Sequence, residues 1–208
     1  MDIFTSPTVR IEQLSSRLDY QISDGGTPLG RATQVAGPKP RKGPLSLFGS
    51  GLQGARVVVQ VSGLDGAPLF YVDRQDAAPV AIVAPDTTLI GRLVEARPQA
   101  APGAGFRAAV HAVLAQAGPA QTHHLMDAHD RPLATVNWDM RVEGASEHRR
   151  WVAVGGAFSA PNGQRIARVD IREAAFKDQY TLHLHHRLPE PLRTLVIATP
   201  LAFDLIRT

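Results

Sequence analysis

The stretch "PEPLRTLVIATPLAFDLIRT", residues 189–208, decides what kind of fold this chain can have. Its uncharged run, between Arg193 and Asp204, is about ten residues long, whereas a helix crossing a bilayer takes about twenty. Membrane spanning by this segment is therefore disfavoured. Read as a helix, it spreads Leu192, Leu195, Val196, Ile197, Leu201, Phe203, Leu205 and Ile206 around nearly its whole circumference, and a helix apolar on every side is normally buried on every side. Pro189 or Pro191 suits a first helical turn, Glu190 the positive end of the helix dipole and Arg207 the negative end. Pro200 is the awkward residue, because an interior proline destabilises a helix by about 3 kcal/mol unless packing holds it.

The rest of the chain reads as strands that could surround such a helix. A short apolar run, an Asp/Asn/Gly/Pro turn and a second apolar run recur in "YQISDGGTPLGRATQV", "VVVQVSGLDGAPLFYV", "VAIVAPDTTLIGRLVEA", "HHLMDAHDRPLATVNW" and "WVAVGGAFSAPNGQRIARVDI". These are hairpin signatures, since Asp and Asn side chains bond the turn backbone and Gly supplies positive φ. Val57, Val59 and Val61 share one strand face, as do Tyr180, Leu182 and Leu184. Roughly ten or more strands with exposed edges favour closure into an antiparallel barrel, and the C-terminal helix is the element apolar enough to fill its lumen. The sequence thus predicts one mainly β domain over 1–208, with residues 1–17 as an N-terminal lead-in. A Gly/Pro-rich basic loop spans 37–54, and a short helix is expected near 106–117 from the spacing of Phe106, Val110, Val113 and Leu114.

Composition narrows the function classes. With no cysteine there are no disulfides, thiolate nucleophiles or Cys-type zinc sites. The charged residues of the first twenty positions leave no signal-peptide core, which makes a cytoplasmic location, with peripheral membrane contact, the expectation. Twenty-two basic against nineteen acidic residues is too small a surplus to demand nucleic acid.

The repeated hairpins followed by "FKDQYTLHLHHRLPEPLRTLVIATPLAFD" resemble the tubby C-terminal superfamily, in particular its phospholipid-scramblase-like and LURP-one-related branches. The resemblance implies a barrel of about twelve strands around a central helix, and a link to membrane phospholipid. Calcium chemistry does not carry over. A calcium site needs roughly six to eight oxygens, and here Asp178 stands with Phe176, Arg187 and Pro189 where the scramblase pattern has carboxylates.

Between Gly25 and Leu64 there is no acidic residue, while Lys39, Arg41, Lys42 and Arg56 all occur there with Arg31. Beside an anionic leaflet each such cation contributes about 1 kcal/mol, and Leu45, Leu47 and Phe48 could insert next to them. The alternative is an ordinary solvated loop. His183 and His185 share a strand face but need a third ligand before a metal can be held, and His123, His124 and His129 are linked to them by no spacing rule, so no metal and no cofactor are expected. No nucleophile elbow, zincin motif or phosphate-binding loop is present. The expectation is a non-enzyme that engages anionic phospholipid through Lys39, Arg41, Lys42 and Arg56. A protein-interaction scaffold is the alternative reading, and a phospholipid scramblase is ranked below both.

Overall fold

The computed structural model describes residues 2–15, 18–38, 55–76, 78–96, 122–144, 150–174 and 177–207. The basic stretch with Lys39, Arg41 and Lys42, and the helix expected near 106–117, lie outside these residues. Twelve strands and one helix follow in order: β1 Thr8–Gln13, β2 Asp19–Asp24, β3 Thr27–Ala36, β4 Val57–Gly63, β5 Pro68–Arg74 and β6 Val80–Val83. Next come β7 Leu89–Glu95, β8 Thr122–Asp127, β9 Pro132–Glu143, β10 Arg150–Ser159, β11 Arg165–Ala174, β12 Lys177–Leu184 and α1 Leu192–Arg207. Each strand pairs antiparallel with its neighbours in sequence, and β1 pairs with β12 to close the barrel. The closing register sets Val9 opposite Leu182 and Ile11 opposite Tyr180, with all four side chains buried. The stretch read from sequence as a lead-in therefore supplies a wall strand.

All five hairpins form, and the chemistry of their turns is local. Asp65, Asp86 and Asn162 each accept a hydrogen bond from the backbone N–H two residues on, at 3.0 Å. Asp127 accepts from the N–H groups of His129 at 2.8 Å and Arg131 at 2.9 Å. Those donors, Arg131 foremost, hold its carboxyl at about 2. In the β2–β3 turn Gly25 and Gly26 take φ of 52° and 92°, the region where a Cβ is unfavourable. Alternation then divides the wall. Val59, Val61, Phe70, Val72 and Leu182 face inward and are fully buried, while Arg10, Glu12, Arg168, Asp170 and His183 face outward. This polar exterior is the reverse of a lipid-spanning barrel, whose outward band is apolar.

The helix lies in the lumen, and every residue from Arg193 to Leu205 is buried, whereas Leu192 is half-buried and Ile206 exposed where the two ends of the helix reach the mouths. The two charges that bound its apolar run in the sequence are therefore also inside. Asp204 accepts hydrogen bonds from the phenols of Tyr20 on β2 and, at 2.7 Å, Tyr180 on β12. Burial, and then the charge of Asp204, push both phenols well above their ordinary range. Opposite them, Phe203 stacks on Trp138 of β9 with ring centroids 3.8 Å apart. On β7, Gly91 makes room for the helix, because a Cβ there would lie 3.0 Å from the methyl carbons of Leu195 and 2.2 Å from the Met126 carbonyl. At the start of α1 the Glu190 carboxylate accepts from the N–H and hydroxyl of Thr194. Pro200 lies inside the helix, buried, with the packing the sequence required of it.

Because β12 runs into the lower rim and α1 returns through the lumen, the barrel has two distinct mouths. The lower mouth holds the tight turns β2–β3, β4–β5, β6–β7, β8–β9 and β10–β11, together with the N-terminus of α1. The upper mouth holds the ends of the long connections β3–β4 and β7–β8, the β9–β10 hairpin end and the C-terminus of α1.

Candidate functional site

The upper mouth collects features that a self-contained barrel does not need. Among the described residues the exposed large apolar side chains are Leu14, Val35, Val142, Trp151, Ile206 and Leu64. All but Leu64 lie at the upper mouth. Trp151, 49% exposed, is set opposite Val142 in the β9–β10 register. The pairing of β9 with β8 ends at Asn137, and that of β10 with β11 begins at Gly155. The segment from Met140 to Glu143, paired with Arg150 to Ala153, is thus a two-stranded projection beyond the barrel wall. Arg172 and Lys177, at the adjoining ends of β11 and β12, are exposed and form no ion pair among the described residues. The two long connections rooted here, 37–56 and 96–121, contain Lys39, Arg41, Lys42, Arg56, Arg97 and Arg107 and no Asp or Glu.

Of the four cations expected to contact head groups, Arg56 is the one whose placement is described. It sits at the upper mouth where the basic stretch rejoins the wall, and it donates to Asp73 on β5 through Nε at 3.0 Å and Nη2 at 2.5 Å. Its charge is matched locally. The acid-free window of the sequence ends before β5, so the neighbour that pairs with Arg56 in space was outside it.

Beneath the rim is a cavity of about 590 Å³ lined by Arg74, Asp76, Val80, Leu93, Glu95, His123 and Ile206. His123 is buried in its wall, and its Nδ1 accepts a hydrogen bond from the Trp138 indole N–H at 3.1 Å. A neutral imidazole that accepts at Nδ1 carries its proton on Nε2, and that atom has no partner among the described residues. Burial pulls the His123 pKa down to about 4, against the opposing pull of Glu95. The ring is therefore neutral at pH 7. Since the unfolded chain takes up this proton near 6.5 and the folded chain only near 4, stability is lost as pH falls through that interval. The loss reaches about 3 kcal/mol. Urea titrations between pH 7 and 4 check this: His123→Gln should flatten the slope in that window, and an unchanged slope would contradict the assignment.

Three other described histidines are dispersed. His124 faces outward toward Thr135 at 3.3 Å, His129 lies in a lower turn, and His183 is 3.5 Å from Asp170. Among the described residues no three potential ligands come together for a metal ion. No described helix is long and apolar enough to cross a membrane.

Fold and site together define a class: an antiparallel barrel filled by its own C-terminal helix, with exposed apolar side chains and the described ends of two basic connections at one mouth. No protein-family model matches the chain, and no curated protein does. Among solved structures it is similar to a putative outer membrane lipoprotein-sorting protein domain from Vibrio parahaemolyticus, at 8% identity over 91% of this chain and 89% of that one. The TM-score of 0.25 is too low for that likeness to bear on fold or function.

Proposed function

We propose that this protein is a non-catalytic binding barrel of the tubby-like kind that docks its upper mouth onto an anionic phospholipid surface. The observation that carries the reading is the ring of Leu14, Val35, Val142, Trp151 and Ile206 at the mouth where both acid-free connections are rooted. Apolar side chains at a mouth from which acid-free basic connections start suit an anionic leaflet, where tryptophan sits at head-group depth and cations gain from the surface potential. A barrel filled by a helix and closed on twelve strands fits the tubby resemblance. The polar outer wall suits peripheral contact rather than insertion.

Co-sedimentation with vesicles tests this. Binding to phosphatidylserine-containing vesicles at low salt, absent with phosphatidylcholine alone, is expected. Reversing Lys39, Arg41 and Lys42 to Glu should weaken it by at least about 100-fold, from about 1 kcal/mol for each cation. Equal binding to both vesicles, or no effect of the reversal, would overturn the reading. A second reading, a protein-interaction scaffold, draws on the β9–β10 projection, whose outer edges pair with no strand among the described residues and could accept one. Trp151→Ser separates the two, because it should weaken vesicle binding while leaving the backbone edge available to a peptide.

A further inference from the structure

At the opposite end of the barrel the first residues of α1 build a cationic pocket. Arg193 is 5% exposed, yet its guanidinium meets no carboxylate among the described residues. Nη2 donates to the Ser6 carbonyl at 3.2 Å, and Nε has no partner among the described residues. A buried charge without a counter-charge is strongly unfavourable unless something supplies one. The side chain lines a cavity of about 400 Å³ whose other described lining residues include Thr5, His185, His186 and Arg187, with no Asp or Glu. Neither Glu190 nor Asp24 forms an ion pair with Arg193: the Glu190 carboxylate accepts from Thr194, and Asp24 accepts from the Ser6 hydroxyl. The positive end of the α1 dipole adds to the same field.

We infer that this lower pocket binds an oxyanion of the phosphate class. Arg193 is the buried anchor, and Arg187, His185 and His186 are the outer contacts. A guanidinium presents a planar fork of donors that matches phosphate or carboxylate oxygens. Two arginines supply the positive charge and two imidazoles add hydrogen-bonding nitrogens around one cavity, a set that suits the several oxygens of a phosphate better than the two of a carboxylate. The helix contributes through its dipole and not through open backbone donors, since the N–H groups of Arg193, Thr194 and Leu195 are already bonded to Pro189, Glu190 and Pro191. A phosphate monoester free in solution and a phospholipid head group share this chemistry. The site opens at the end opposite the membrane-docking mouth, so the proposed docking favours the soluble source.

The test is a titration of the full chain with inorganic phosphate, followed by calorimetry and thermal unfolding against chloride at equal ionic strength. Saturable binding with a rise in Tm specific to phosphate is expected. Arg193→Gln should weaken it at least about tenfold, as expected for loss of a charge-assisted hydrogen bond. Arg187→Gln, at an exposed position that should not disturb folding, should weaken it measurably with the unliganded Tm unchanged. A second arm presents phosphatidic acid vesicles in phosphate-free buffer to the chain with Lys39, Arg41 and Lys42 reversed to Glu, so that docking by the upper mouth does not mask the lower pocket. Binding to them that Arg187→Gln abolishes would identify the head group as the source, whereas binding of soluble phosphate alone identifies a free ester. Equal responses to phosphate and chloride, or full phosphate affinity in both variants, would overturn the site and leave the docking proposal standing.

Discussion

Deleting residues 189–208 is expected to leave a chain that no longer unfolds cooperatively and either precipitates or persists as a molten species. The deletion removes Leu195, Val196, Ile197, Leu201, Phe203 and Leu205, all buried in the lumen. At about 1.5–3 kcal/mol for each buried large apolar side chain, the loss is on the order of 10 kcal/mol, comparable with the whole stability of a domain. The strand faces they cover, among them Val59, Phe70, Val72 and Leu182, would be left lining an empty tube. Far-UV and near-UV circular dichroism with a urea titration check this. A soluble truncated protein with a sharp transition would contradict it.

The second large effect is expected from Phe203→Ala. Phe203 is sandwiched in an aromatic cluster, stacked on Trp138 at 3.8 Å and edge-on to His123 at 6.3 Å, while the Arg207 guanidinium lies 5.4 Å from its centroid. Truncating it opens a cavity between the helix and β8–β9, with an expected destabilisation of about 3–5 kcal/mol. The same substitution uncovers the Trp138 indole, so native-state fluorescence should shift to the red. A change below about 1 kcal/mol with unaltered emission would mean that this packing is not formed.

Much of this architecture is legible in the sequence because its signals are local. Asp65, Asp86, Asp127 and Asn162 each bond backbone within a few residues, so the hairpins announce themselves in short windows. The helix announces itself through apolar residues on all faces. Barrel closure is different. The contact of Val9 with Leu182 joins the two ends of the chain, and no short pattern encodes which late strand β1 will meet. The candidate sites are harder still. Trp151 and Trp138 are the same residue type, yet one is half exposed and one is buried, according to where pairing with β8 and β11 stops. Arg56 reads as a free cation until β5 brings Asp73 beside it. Arg193 reads as the polar boundary of an apolar run, and its lack of a carboxylate partner among the described residues emerges only when Ser6 and residues 185–187 are folded around it.

Enclosure of the helix is the claim on which the two mouths, the apolar rim and the lower pocket all rest. Hydrogen exchange of the amides of Leu192–Arg207, followed by mass spectrometry under native conditions, reads it directly. Residues 195–205 are expected to exchange only through global unfolding, with the same free energy as buried β4 and β5. Exchange of this segment by fraying or local opening, well below the global value, would place the helix outside the barrel and contradict the account.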